Sequence, residues 1–191
     1  MENNLEKLVY EWITAEPKNA DIQSEYYCRT RDVFQARLEK MTREILEIKN
    51  LGEDYIYIIS AIAGEIGNNS FDHNLGNWPD IAGIFFGYRL DNGKLKVALA
   101  DRGRGVLTTL KKVRVELKDD AEALKVAFTE KISGRAPENR GNGLKFVREN
   151  IVDKKMHLVF ISGNGKIELN ENMKIEIRDD NIQGCLAILS P

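Results

Sequence analysis

The chain of 191 residues is 42% hydrophobic and 30% charged, which favours one compact globular domain over a disordered or fibrous protein. A formal net charge of -2 provides no overall attraction to nucleic acid or to an anionic membrane surface, and leaves only a local basic patch as a route to such binding. The two cysteines, Cys28 and Cys185, lie far apart without a CxxC motif, so neither a structural zinc site nor a disulfide framework is indicated.

No export signal or membrane partner is expected. The first residues, MENNLEKLVYEW, do not combine a basic start with an apolar run. No window of about 18 consecutive apolar residues occurs anywhere in the chain. We therefore expect a soluble protein in a reducing cytoplasm.

Residues 1–50 are predicted to form a helical N-terminal extension. Apolar residues recur there at roughly helical spacing, with charged residues between them, and these are Val33, Leu38, Met41, Ile45 and Ile48. Such an amphipathic helix needs a partner for its apolar stripe. The partner is either the rest of the chain or a second copy in a homodimer, and the pattern leaves both open.

Residues 51–191 are predicted to form the main domain. Its helices, identified by their period, are expected near 53–73, 121–131 and 144–152. Its strands, identified by alternating apolar residues, are expected at 81–90, 95–100, 157–162, 173–178 and 184–190. Asp91-Asn92-Gly93 predicts a hairpin turn, and the turn residues Gly163-Asn164-Gly165 are expected to separate the strands at 157–162 and 173–178. This order predicts an α+β two-layer sandwich with helices on one face of a mixed, largely antiparallel sheet.

The predicted helix at 53–73 turns polar on its core-facing side. The residues at relative positions 0, 4, 7 and 8 of this face are Glu65, Asn69, Asp72 and His73. Buried polar groups without partners cost about 1–3 kcal/mol each, and a metal ion with bound phosphate would be a suitable partner. Asn69 would then ligate Mg²⁺ and Glu65 would act as a base. The alternative is a helix end that is simply hydrated.

A second polar group, Asp101-Arg102-Gly103-Arg104-Gly105, directly follows the strand predicted at 95–100. A carboxylate at the end of an apolar strand needs hydrogen-bond donors, and the exocyclic amine of a base is a suitable one. Gly103 and Gly105 would let the backbone approach a flat ring or adopt positive φ. Taken alone, however, the DxGxG pattern favours an ordinary turn.

A third segment is the glycine-rich loop SGRAPENRGNGL at 133–144, which leads into the last predicted helix. Free backbone N–H groups and the positive end of the helix dipole suit phosphates there. Arg135, Arg140 and Lys145 add positive charge. It is not a Walker loop, because GxxxxGK[ST] is absent. An isolated GxG also favours a plain flexible loop before a helix.

In order and spacing, the three segments together resemble the GHKL superfamily, which includes the ATPase domains of gyrase and the histidine kinases. Glu65–His73 is similar to the N box, Asp101–Gly105 to the G1 box and Gly141–Leu144 to the G2 box. The resemblance covers about residues 53–190. It implies a GHKL-like ATP-binding domain of the Bergerat type at 51–191, after the helical extension.

This resemblance implies that the protein binds ATP with Mg²⁺. Asp101 would accept a hydrogen bond from the adenine amine, Gly103 and Gly105 would flank the base, and Asn69 would coordinate the metal. Backbone N–H groups near the start of the last helix would contact the phosphates, and Val106–Arg140 would be the ATP lid. The remaining residues of the implied site are the candidate base Glu65 and the cofactor-binding residues His73, Arg140, Gly141, Gly143 and Leu144.

The branch of the superfamily is suggested by spacing. His73 follows Glu65 by eight residues, as in the serine kinases that act as anti-sigma factors. The chain departs from the pattern at Lys145, where a third glycine is often found, and it lacks an evident F box. The only histidines are His73 and His157, so autophosphorylation on an N-terminal helix histidine is not expected.

Three functions remain open at this point. As an enzyme, the protein would use Glu65 to activate water, or a Ser/Thr hydroxyl of a protein substrate, for attack on ATP. As a non-catalytic module, it would use ATP to order the lid and so switch contact with a protein partner. As a degenerate relative, it would bind no nucleotide.

Overall fold

The computed structural model describes residues 4–48, 51–91, 93–132 and 143–191. Six α-helices and five strands are present in these residues. The helices are α1 (Leu5–Thr14), α2 (Arg31–Leu46), α3 (Glu53–Asn74), α4 (Gly105–Leu110), α5 (Asp120–Thr129) and α6 (Gly143–Asp153). The strands are β1 (Tyr27–Cys28), β2 (Ile84–Asp91), β3 (Lys94–Asp101), β4 (His157–Leu169) and β5 (Met173–Ser190). No described helix combines the length and the apolar character required to cross a bilayer.

The strands form one open sheet in the order β1-β2-β3-β5-β4. Every described pair of neighbouring strands is antiparallel. The expected α+β architecture with a largely antiparallel sheet is confirmed, whereas the expected parallel component is not seen in these pairs. The predicted hairpin is confirmed as β2 and β3, in which Leu90 pairs with Leu95.

The helices of residues 51–191 pack on one face of the sheet, as expected, and α1 of the N-terminal extension covers the other face. Successive strand residues point to opposite faces. Phe86 and Leu99 accordingly face the cluster that includes α2, α3, α5 and α6. Phe85 and Ala98 face a second cluster built around α1. Helix α1 carries an apolar stripe of its own, and this stripe covers the face that would otherwise be left to water.

The partner of the predicted apolar stripe in residues 31–46 is α3 of the same chain. Leu38, Met41 and Ile45 are buried as predicted, whereas Val33 is 39% exposed and Phe34 takes its place in the core. The ring of Phe34 packs edge-on against Phe86, with centroids 5.3 Å apart. This contact joins α2 to the sheet, in addition to the packing of α2 against α3.

The C-terminal part contains two long strands, so the three strands expected there are wrong. Strands β4 and β5 pair from His157 with Ser190 to Leu169 with Met173. Gly163-Asn164-Gly165 forms an irregularity inside β4, with Gly163 at φ 61°, and does not reverse the chain. A positive φ is compatible with a bulge as well as with a turn. Because β4 pairs with β5 on both sides of these residues, they form a bulge.

Candidate functional site

A cavity opens where α3, the end of β3 and the start of α6 meet. Its volume of about 110 Å³ is several times the roughly 10–15 Å³ that a single water molecule needs. Helices α4 and α5 and strands β4 and β5 also contribute to its walls. The sequence-predicted site residues that line it are Asn69, His73, Asp101, Gly105, Gly143 and Leu144. Three segments that are distant in the chain therefore border one cavity.

Asp101 is the last residue of β3 and is only 2% exposed. Its Oδ2 accepts a hydrogen bond from the Ser70 hydroxyl at 2.8 Å, and its Oδ1 accepts one from the Gly103 N–H at 2.8 Å. Burial raises the pKa of Asp101 to about 6, although hydrogen bonds from Ser70 and from the backbone of Gly103 and Cys185 act in the opposite direction. Above about pH 6 the side chain is mainly a buried carboxylate.

Asn74, the last residue of α3, holds the loop that follows Asp101. Its Nδ2 donates to the Ser70 carbonyl at 2.9 Å and lies 3.5 Å from Asp101 Oδ1. Its Oδ1 accepts from the Arg104 N–H at 3.0 Å. A Cβ at Gly103 would overlap the Asn74 amide, so this close approach requires glycine. We call Ser70, Asn74, Asp101 and Gly103 the Asp101 end of the cavity.

Asn69 and Gly143 line the cavity at a second polar region, and Glu65, which does not line it, contacts both. We call these three residues the Glu65 end. The Asn69 Nδ2 donates to Glu65 Oε1 at 3.1 Å. Gly143 begins α6, and a Cβ added there would overlap the same Glu65 oxygen. The first backbone N–H groups of a helix have no partner within the helix, and the dipole is positive there. The start of α6 therefore combines positive potential with two polar side chains of α3.

His73 lines the cavity, whereas Asp72 does not belong to it. The Asp72 carboxylate forms an ion pair with Arg31 at the start of α2. Of the four residues expected to share one polar face of this helix, Asp72 is therefore turned to α2 and Glu65 does not line the cavity. Helix α2 lies against that side of α3 and provides Asp72 with its partner.

Gly105 and Cys185 line the cavity close to Asp101. Gly105 begins α4 with φ 75°, and the next backbone N–H, of Val106, donates to Ser162 Oγ at 2.8 Å. Ser162 is fully buried in β4. Burial, together with the negative charge of Asp101, raises the pKa of the Cys185 thiol well above its ordinary value. The thiol is therefore a neutral wall of the cavity.

Two of the predicted cofactor-binding residues, Arg140 and Gly141, lie outside the described residues. The lid implied for Val106–Arg140 stays a prediction. In the part that the structure describes, residues 106–132 include α4 and α5, and Leu124 and Phe128 of α5 are fully buried in the core. These two helices are therefore packed as part of the folded domain.

The side chains near the cavity do not form a metal site by themselves. Within the described residues, no group of three or more His, Cys, Asp or Glu side chains is arranged to hold a metal ion. Mg²⁺ usually keeps several waters and binds through one or two protein groups together with substrate phosphates. Glu65 and Asn69 are two such protein groups, so the binding of Mg²⁺ here would depend on phosphate oxygens as further ligands.

Ser70 and Asn74 are site residues that the sequence reasoning missed. Both contact Asp101 from α3, and they lie one turn apart on a stripe that is shifted by one residue from Glu65 and Asn69. The signal was present as polar residues at positions 70 and 74, four apart.

Comparison with known proteins assigns no family to the chain. No protein-family model matches it, and no curated protein matches it in sequence. What can be said of function therefore depends on the cavity and on the order of the three segments that border it.

Proposed function

We propose that the protein binds ATP with Mg²⁺ in this cavity and uses it for hydrolysis or for transfer of the γ-phosphoryl group to a Ser or Thr of a protein substrate. The observation that supports this most is that the two ends of one cavity carry different chemical groups. The Asp101 end presents a buried hydrogen-bond acceptor. The Glu65 end presents a helix N-terminus beside a carboxylate and an amide.

The Asp101 end suits a nucleobase that donates a hydrogen bond. A buried carboxylate is costly unless donors surround it, and an exocyclic amine adds one. Adenine carries such an amine, whereas guanine presents a carbonyl oxygen at the equivalent position, which a carboxylate repels. Above about pH 6 Asp101 is ionised and is therefore the better acceptor. We propose that this residue selects adenine.

The Glu65 end suits phosphates. Helix α6 is 11 residues long, and the positive end of its dipole lies at Gly143, where it would attract phosphate. Lys145 lies in the first turn of this helix and adds positive charge. Gly143 approaches both Glu65 and Asn69, so the start of this helix lies beside the residue that would hold Mg²⁺.

Mg²⁺, when bound, would neutralise charge on the phosphate oxygens and help to align them for in-line attack. Asn69 would hold the ion through its amide oxygen, because its amide nitrogen is used in the hydrogen bond to Glu65. Glu65 would accept the proton of the attacking hydroxyl group. The carboxylate and the amide come from the same helix one turn apart, so their relative position is fixed by α3.

The alternative, a non-catalytic module in which ATP orders the stretch 106–140, has less support. Its described part, 106–132, contains helices that are already packed in the core. What an ATP-dependent switch would need is a segment whose order changes on binding. Hydrolysis or phosphoryl transfer requires no change of order in these helices.

Isothermal titration calorimetry with ATP, ADP and a nonhydrolysable ATP analogue, with and without Mg²⁺, tests the proposal. We expect binding of all three nucleotides, and a gain in affinity for the triphosphates when Mg²⁺ is added. GTP serves as the matched control and should bind more weakly. If saturating Mg·ATP produced neither heat nor a rise in melting temperature, the proposal would be wrong.

A further inference from the structure

Arg102 lies between Asp101 and Gly103 and is only 4% exposed. Its guanidinium does not face the cavity but points in the direction of α1. The Nη1 atom donates to the carbonyl oxygens of Trp12 at 3.2 Å and of Ile13 at 2.7 Å. Both carbonyls belong to the last turn of α1, where helix carbonyls lack partners within the helix.

The other side of the guanidinium forms an ion pair with Asp80. Arg102 Nε and Nη2 donate to Asp80 Oδ2 at 3.0 and 2.7 Å. Burial by itself would raise the pKa of Asp80, but the hydrogen bonds from Arg102 hold it below its ordinary value. Both side chains are largely covered, at 5% and 15% exposed, so the pair is not a solvated surface contact.

The backbone of Arg102 is held as well. Its carbonyl oxygen accepts a hydrogen bond from Gln183 Nε2 at 3.0 Å. The residue therefore connects three parts of the protein: the last turn of α1, the segment before β2 through Asp80, and β5 through Gln183. Because Arg102 directly follows Asp101, any shift of its backbone moves the Asp101 carboxylate and the Gly103 N–H that it accepts from.

A buried guanidinium that loses its partners is strongly unfavourable, because both charge and hydrogen bonds go unpaired. The contacts of Arg102 therefore hold the backbone of the loop 101–105 in place. Resting on the proposed function, we infer that Arg102 is a positioning residue for the adenine contact of Asp101.

The chain offers a matched control in Arg178 of β5. Its Nη2 donates to the Tyr10 hydroxyl of α1 at 3.2 Å, and its guanidinium carbon lies 5.8 Å from the centre of the Tyr10 ring. It thus holds α1 to the sheet without touching the loop 101–105. Arg102→Met and Arg178→Met each remove one arginine contact to α1, and only the first removes a contact of the loop.

The test measures adenosine and ATP affinity of the two variants by calorimetry, at a temperature where each is folded. Arg102→Met is expected to weaken both ligands by the same factor, on the order of tenfold, within the range typical of coupling between sites. Equal loss for both ligands is expected because Arg102 acts on the base and not on the phosphates. Arg178→Met is expected to change affinity less than about threefold. Equal losses in the two variants, or no loss in Arg102→Met, would overturn the inference.

Two further experiments apply if the Arg102 variant does not fold or if the wild-type protein does not bind nucleotide. If Arg102→Met does not fold, the double variant Arg102→Met with Asp80→Leu removes both charges together and takes its place. If the wild-type protein binds no adenosine or ATP, the proposed function has failed, and hydrogen exchange alone decides whether Arg102 holds the loop 101–105. Faster exchange at both α1 and the amides of 103–105 in the Arg102 variant, but only at α1 in the Arg178 variant, supports it. Unchanged exchange at 103–105 in both variants overturns it.

Discussion

The Ser70 hydroxyl donates a 2.8 Å hydrogen bond to the buried Asp101 carboxylate and thereby joins the C-terminal part of α3 to the end of β3. Ser70 is one of the groups that lower the pKa of Asp101 against the larger effect of burial. The protonation state of Asp101 on β3 therefore depends on a side chain of α3. This dependence makes the base contact accessible to experiment through pH.

Adenosine affinity should fall as pH decreases through about 6, because protonation of Asp101 removes the acceptor charge. Adenosine is the better probe than ATP, since it carries no phosphate that titrates in this range. Below the midpoint we expect about a tenfold loss per pH unit, measured by calorimetry. A flat profile from pH 5 to pH 8 would argue against an ionised Asp101 as the base contact.

Ser70→Ala should move the midpoint of that profile to higher pH, because the carboxylate loses a donor and its pKa rises further. Ser60→Ala is the control, since Ser60 is on the same helix but its Oγ pairs with Thr42 Oγ at 2.8 Å. The control profile should coincide with the wild-type profile. Identical midpoints in all three proteins would show that Ser70 does not act on Asp101.

Asp101→Asn should remove a pH dependence of stability. The pKa of Asp101 is about 6 when folded and 3.8 as the ordinary value, so the folded state binds the proton more tightly. The contribution of Asp101 to stability is therefore greatest below about pH 4, decreases by at most about 3 kcal/mol as pH rises to about 6, and is constant above it. Urea unfolding from pH 4 to pH 7 measures it. Relative to the variant, the wild type should lose stability over this range, and parallel curves would contradict the prediction.

Gly103→Ala should destabilise the protein by about 1–3 kcal/mol and weaken adenosine binding. The added Cβ meets the Asn74 amide, which cannot move without giving up its hydrogen bonds to Ser70 and Arg104. Gly52→Ala is the control, because a Cβ there has no neighbour within 4 Å. Thermal unfolding and calorimetry measure both effects. Equal melting temperatures of the two variants would refute the steric argument.

Glu65→Gln should reduce ATP turnover by about a hundredfold or more while changing ATP affinity less than about threefold. Glutamine is similar in size but cannot accept a proton from the attacking hydroxyl. Glu53→Gln, in the first turn of the same helix, is the control and should leave turnover unchanged. Phosphate release and calorimetry provide the two readouts. Turnover that survives the Glu65 substitution would exclude this carboxylate as the base.

The helix at 53–74 and the hairpin of β2 and β3 were predicted well because their signals are local. A long apolar period and an Asn-Gly turn need no distant partner to be recognised. The end of the chain was predicted wrongly for the opposite reason. Gly163-Asn164-Gly165 has the composition of a turn, but pairing with β5 and contact of Asn164 with Asp120 of α5 make it a bulge.

Residue types and their order were enough to point to a carboxylate at a strand end, a polar helix face and a glycine before a helix. These features belong to single segments, so the sequence by itself determined them. Which polar residues of α3 face Asp101 was decided only by tertiary structure. Neighbouring helix residues point about 100° apart, and the packing of α2 against α3 sets that rotation. It turns Ser70 and Asn74 to the cavity and Asp72 to Arg31.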